Sequence, residues 1–215
     1  MEYNKVCVIL DAGHTKQTPG KQSPDGKFKE YIYAREILKG IEEKLDSLGI
    51  SHFNTHPEET YIIGTKNDSQ DLLERTNRVN RKVKELKSKG ITSFLISIHV
   101  DAAGNGTEWK NATGWSCWTT KGKTVSDKLA ECMYDAAESV LKPINKKLRV
   151  DMSDGDRDWE NNFWILKQSN CACVLTENFF QDNKNDVDFL LSDLGRKSII
   201  NLHIQGIKNY INQIK

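Results

Sequence analysis

Four polar residues stand where short apolar runs give way to a loop or a helix. The run Val6 to Leu10 ends in Asp11-Ala12-Gly13-His14, and the run Thr92 to Val100 carries Ser97-Ile98-His99 near its end. The run from Ala172 leads into Thr176-Glu177-Asn178, and Lys29-Glu30 opens a helical pattern. Two neutral imidazoles and one carboxylate form a common ligand set for a catalytic zinc ion, with water in the remaining position. A further carboxylate outside that set can take a proton from the water. In this reading His14, Glu30 and His99 are the metal ligands and Glu177 is the catalytic base. The four lie far apart in the chain, and a histidine at a strand end is more often a hydrogen-bonded structural residue. Residue types alone therefore leave both readings open.

These side chains can meet only if the surrounding elements deliver them to one edge. Strand-like and helix-like segments alternate, which predicts a parallel sheet covered on both faces. Val6 to Leu10 reads as a buried parallel strand. Tyr31, Ala34, Leu38, Ile41, Leu45 and Leu48 recur at helical spacing, and Gly49 ends that helix. Ile50 to Asn54 is a weaker strand. Leu72, Thr76, Val79, Val83 and Leu86 mark a second helix, and Thr92 to Val100 is the strongest buried strand. Gly114 to Thr119 is a further strand. Val125, Leu129, Met133, Ala136 and Val140 form a third helix, stopped before Pro143. Phe163 to Leu166 and Ala172 to Thr176 complete the strands, and Ile200, Ile204, Ile207, Ile211 and Ile214 form a closing helix. The expectation is an α/β fold: a single domain over residues 1–215, with a mostly parallel, mixed and twisted sheet of about six strands and helices on both faces. In open sheets of this kind, ligands bind beyond the carboxyl ends of the strands, which is the rim reached by all four residues.

On these motifs the sequence resembles the zinc-dependent N-acetylmuramoyl-L-alanine amidases of the type-3 group, which includes phage endolysins and bacterial cell-wall amidases. Val8-Ile9-Leu10-Asp11-Ala12-Gly13-His14 resembles the family's opening strand with its zinc-binding histidine. Gly26-Lys27-Phe28-Lys29-Glu30 resembles its entry to the glutamate ligand. Leu73-Glu74-Arg75-Thr76-Asn77-Arg78 resembles its second helix. Phe94-Leu95-Ile96-Ser97-Ile98-His99 resembles the strand of the third ligand. Thr113-Gly114-Trp115 is similar to a further family strand. Phe163-Trp164-Ile165-Leu166, Val174-Leu175-Thr176-Glu177-Asn178-Phe179-Phe180, and then Asn183 and Asp186, resemble the closing pattern. The likeness implies a peptidoglycan hydrolase. Its Zn2+, held by His14, Glu30 and His99, would lower the pKa of a bound water toward ~7. Glu177 would take the proton as that water attacks the lactyl carbonyl of N-acetylmuramic acid, and would return it to the departing L-alanine nitrogen. Alternatives are a zinc peptidase or carboxypeptidase acting on wall peptides, or a wall-binding relative without catalysis. The sequence departs from the family pattern after His14, at Val100-Asp101-Ala102, and at Asn178-Phe179, where the family often carries Cys-Gly or Thr-Gly.

Composition fits this picture. Of 215 residues, 31 are Lys or Arg and 30 are Asp or Glu, for a net charge of +1. That balance gives no electrostatic ground for nucleic acid or an anionic membrane as partner. No segment approaches the ~20 apolar residues of a membrane span, so membrane insertion is not expected. The opening Met1-Glu2-Tyr3-Asn4-Lys5 lacks a leader pattern. The expectation is synthesis in the cytoplasm, action on the wall after release or export, and a monomer. The five cysteines read as reduced thiols, Cys171 and Cys173 among them.

Other polar residues carry weaker expectations. Asp11 either orients a ligand histidine or caps the turn after the first strand. Arg75 and Arg78 lie on the second helix; Arg75 could touch a substrate or hold the first loop, but a solvated helix face beside Glu74 is the commoner outcome. The acidic run from Asp151 to Glu160 is expected to be a solvated loop without calcium, because its spacing is wrong for an EF-hand. Trp109 and Trp159 fall in loops where they can stack on a ligand, while Trp115, Trp118 and Trp164 are expected in the core. His52, His56 and His203 have no companion carboxylates at a strand rim and are left structural or superficial.

Overall fold

A computed structural model describes residues 5–214; Met1 to Asn4, on which the leader expectation rests, lie outside the described residues. Six strands form one mixed sheet: β1 (Val6–Ala12), β2 (Ser51–Asn54), β3 (Thr92–Asp101), β4 (Ser116–Thr119), β5 (Trp159–Glu160) and β6 (Ala172–Phe180). Their order across the sheet is β2-β1-β3-β6-β4-β5. The pairs β1–β2, β1–β3, β3–β6 and β4–β5 are parallel, and β4 runs antiparallel to β6. The helices are α1 (Glu30–Ser47), α2 (Asp68–Ser88), α3 (Asp127–Leu141), α4 (Trp164–Gln168), α5 (Lys184–Leu191) and α6 (Asp193–Gln213).

Alternation along the central strands builds two cores. Val6, Val8, Leu10 and Ala12 of β1, with Phe94, Ile96, Ile98 and Val100 of β3, join residues of α1, α3 and α6. Ile9 of β1, Leu95 of β3, and Cys173 and Leu175 of β6 face the other way, onto α2 and α4. Strands buried on both faces require continuous apolar runs, which is why β1, β3 and β6 are so readable in the sequence.

The expected strand at Phe163 to Leu166 is instead the start of α4, with Phe163 as the residue before the helix. Ile165 and Leu166 pack on Val79 and Val83 of α2, while Trp164 is 46% exposed rather than in the core. Four apolar residues in a row do not distinguish a strand from a helical turn. The edge position belongs to Trp159–Glu160, which pairs with Trp118 and Thr119. Trp118 is itself half-buried.

Candidate metal centre

Each of the four candidate residues is set by its own element. His14 follows β1 in a left-handed backbone conformation, φ 57°, and its carbonyl accepts a bond of 3.0 Å from Arg35 Nη1 on α1. Gly13 ahead of it donates to Ile98 O at 2.8 Å. A β-carbon at Gly13 would lie 2.6 Å from His99 Nδ1, so the position requires glycine for close approach. Glu30 is the first residue of α1, where the helix N-terminus favours an anion. His99 and Glu177 are paired positions on neighbouring strands.

The structure brings His14, Glu30 and His99 together, with one ligand atom from each within 4.8 Å of the others. Glu30 Oε1 lies 3.6 Å from His14 Nε2 and 3.2 Å from His99 Nδ1, and it accepts from Val100 N at 3.0 Å. The Glu30 side chain is fully buried and its Oε2 has no partner among the described residues. A buried carboxylate whose Oε1 lies between two imidazole nitrogens and whose Oε2 is unpartnered among the described residues fits a divalent metal ion with a preference for nitrogen and oxygen ligands. Burial, reinforced by His99 and opposed by Glu30, pulls the His14 imidazole down to about 3, so it is neutral, as a ligand must be. Burial alone would raise the Glu30 carboxyl, but His14 and His99 outweigh it and hold it at about 2.

Glu177 borders the same site with a different environment. Burial, then Glu30 and Asp101, push its carboxyl well above the ordinary range, against Lys21 and Arg149, which pull it down. Its Oε2 is buried without a partner among the described residues. The site thus holds two carboxyls pushed in opposite directions, one an anion and one a ready proton carrier. Beyond Glu177, β6 bulges: His99 faces Glu177, yet Asp101 faces Phe180. Asn178 fills the bulge by donating to His99 O at 2.9 Å and accepting from Trp115 Nε1 at 3.0 Å.

Several surrounding residues differ from expectation. Arg75 is not on a solvated face: it is 5% exposed, donates to Ala12 O at 2.6 Å and pairs with Asp11 at 3.3 Å. Asp11 contacts neither ligand histidine by hydrogen bond; it accepts from Thr55 Oγ1 at 2.6 Å and Ser97 Oγ at 2.7 Å. Burial alone would raise Asp11, but Arg75, Thr55 and Ser97 outweigh it and keep it an anion. This network ties β1, β3 and α2 together directly before His14. Arg78 donates to Thr55 O at 2.9 Å from the same helix. His56, left structural or superficial, is buried, 3.1 Å from Glu58 and 3.7 Å from Asp71. His203 is buried against Ile199 O and Thr176 Oγ1, and His52 sits 2.9 Å from Asp46. The acidic loop is not wholly solvated, because Asp158 is 2% exposed and accepts from Thr119 Oγ1. Trp159 belongs to β5, and Trp109 is 38% exposed in a loop.

Sequence reasoning passed over Lys21, Arg35 and Arg149. The signal for Arg35 was its place four residues after Tyr31 on the inward stripe of α1, where it donates to Tyr31 O and His14 O. Lys21 and Arg149 lie in loops that carry no local pattern.

Comparison with known proteins agrees with this architecture. A solved N-acetylmuramoyl-L-alanine amidase from Clostridium difficile 630 shares the fold, with a TM-score of 0.75 at 23% identity over 99% of this chain and 100% of that one. The endolysin of Bacillus phage SPP1 is 25% identical over 205 residues, 95% of this chain and 66% of that protein. The probable cell wall amidase LytH of Staphylococcus saprophyticus is 24% identical over 207 residues, 96% of this chain and 58% of that protein. The chain thus spans less than two thirds of either relative's length. The profile of the N-acetylmuramoyl-L-alanine amidase family matches residues 8–209, and the chain belongs to that family.

Proposed function

We propose that this protein is a zinc-dependent hydrolase that cuts the amide bond between the lactyl group of N-acetylmuramic acid and the L-alanine of the peptide stem in peptidoglycan. The observation that carries the reading is the fully buried Glu30 carboxylate set between His14 Nε2 and His99 Nδ1, with the Glu177 carboxyl beside it. His14, Glu30 and His99 are the residues that hold the ion. A bound zinc ion supplies Lewis acidity, acidifying water and polarising the carbonyl under attack.

The chain's own residues do the rest. Glu177, as the carboxylate, accepts the proton of the attacking water and delivers it to the leaving nitrogen, a role favoured by burial, which makes the carboxylate a stronger base. Glu30 stays ionised and keeps both imidazoles facing one point. Arg75 and Arg35 fix the His14 backbone through Ala12 O and His14 O. Catalysis is assigned to the whole of residues 1–215 acting as one monomeric catalytic domain, without nucleic acid or membrane insertion, on wall reached by release or export.

The experiment is digestion of purified peptidoglycan with mass analysis of the products. Intact stems with a free amino-terminal L-alanine, and muramoyl strands with free lactyl carboxyls, are expected. Cleavage within the stem, with no new free L-alanine amino group, is the result that would refute this reading.

A further inference from the structure

Glu177 and Phe163 border two clefts. The first includes His14 and His99, with Lys21 and Arg75 among its walls beside Trp164 and Ile165. The second lies toward β4, with Trp118, Phe163 and Phe180 on its lining beside Asn111, Lys147 and Arg149. The bond to be cut joins a sugar to a peptide, so the two halves of the substrate leave the metal centre on different sides.

Arg149 is built for recognition rather than left loose. Its Nη1 donates to Asp101 Oδ2 at 2.6 Å. Its guanidinium carbon lies 4.9 Å from the ring centre of Trp159 and 4.9 Å from that of Phe180. Its backbone is fixed as well, since its N donates to Trp115 O at 2.8 Å and its O accepts from Tyr134 Oη at 2.8 Å. The other guanidinium nitrogens have no hydrogen-bond partner among the described residues, and Lys147 has no ion-pair partner among them. A planar fork stacked between rings loses little freedom when it takes up a carboxylate. Bracing β5 requires only the stacking and the Asp101 pair. The free edge of the fork, on the second cleft beside the catalytic carboxyl, is unexplained by bracing.

Resting on the amidase reading above, we propose that this second cleft receives the peptide stem, and that Arg149, with Lys147 at its rim, selects stems bearing a free carboxylate. The first cleft, with Trp164 on its wall, is then left to the sugar strand, whose ring faces suit aromatic stacking.

The test uses two soluble muramoyl-peptides that differ only in one stem group, a carboxylate in one and a carboxamide in the other. With the zinc-loaded protein, the carboxylate substrate is expected to show a KM about tenfold lower at similar kcat, a difference of one charge-assisted contact. Arg149→Gln is expected to bring the ratio of the two kcat/KM values close to one, Arg149→Lys to keep part of it, and Lys147→Gln to reduce it less while weakening its dependence on salt. Equal kcat/KM for both substrates in the wild type overturns the proposal. So does a parallel fall for both in Arg149→Gln, which is the mark of a bracing role. If Arg149→Gln does not fold, the wild-type preference and Lys147→Gln still decide. Failure of the wild type to cut either substrate at the muramoyl amide refutes the amidase reading itself, whereas cutting both without preference refutes only the role of Arg149.

Discussion

His99 and Glu177 occupy paired positions on the adjacent parallel strands β3 and β6. Partners in register point to the same face of a sheet. One strand therefore presents a metal-type donor and its neighbour presents a proton-carrying acid, at a fixed separation that no loop can alter. The bulge at Asn178 and Phe179 follows immediately, so the ladder is regular up to the chemistry and irregular beyond it.

Replacing Glu177 by Gln separates proton transfer from metal holding. Release of stems with a free amino-terminal L-alanine is expected to fall by about 10²- to 10⁴-fold, while zinc content remains that of the wild type. Retained turnover would move the acid–base role to another residue.

Gly13→Ala tests the contact between the first loop and His99. The added carbon would meet Nδ1 at 2.6 Å, so the imidazole must turn away. Zinc affinity is expected to drop by about 10- to 100-fold, the range seen when a ligand's orientation is disturbed. Calorimetric titration with zinc measures it, and wild-type affinity would show that the ring tolerates the crowding.

Phe179 explains one departure from the family pattern. Its φ is 66°, the left-handed region in which glycine is at ease. Holding a non-glycine residue there costs about 1–2 kcal/mol. The ring is fully buried, however, and meets Phe189 edge-on at 5.4 Å. Removing a buried phenylalanine costs about 3–5 kcal/mol, so burial outweighs strain. Phe179→Gly is expected to lower stability by about 2 kcal/mol or more in denaturant unfolding, and a more stable variant would reverse that balance.

Asp158 makes stability fall as pH rises. Burial, with Asp156 beside it, pushes its carboxyl from 3.8 up to about 7, against the bond from Thr119. The folded state therefore binds the proton more tightly than the unfolded chain. This contribution is complete below 3.8 and is lost as the pH climbs through about 7. Asp158→Asn is expected to flatten that part of the stability profile between about pH 4 and about pH 8, and an unchanged slope would remove Asp158 as its source.

The sequence was legible where one physical demand dominates. Strands β1, β3 and β6 are buried on both faces, so Val8, Ile96 and Val174 stand in apolar runs whose ends deliver the polar residues to one rim. It was illegible where partners are remote. Nothing local distinguishes Arg75, buried against Asp11 sixty-four residues away, from Arg81, which pairs with Glu74 at the surface. Trp159 and Glu160 form a strand only because β4 offers an edge. Phe163 to Leu166 had too few residues to declare a period, and tertiary packing on α2 decided it.

The most direct test of the whole account is zinc stoichiometry, measured by elemental analysis on the purified chain and on His14→Ala, Glu30→Gln and His99→Ala. One tightly held zinc per wild-type chain is expected, with each substitution releasing it while the fold persists by circular dichroism. Undiminished zinc in all three variants, or a wild-type chain that takes up none, would contradict it.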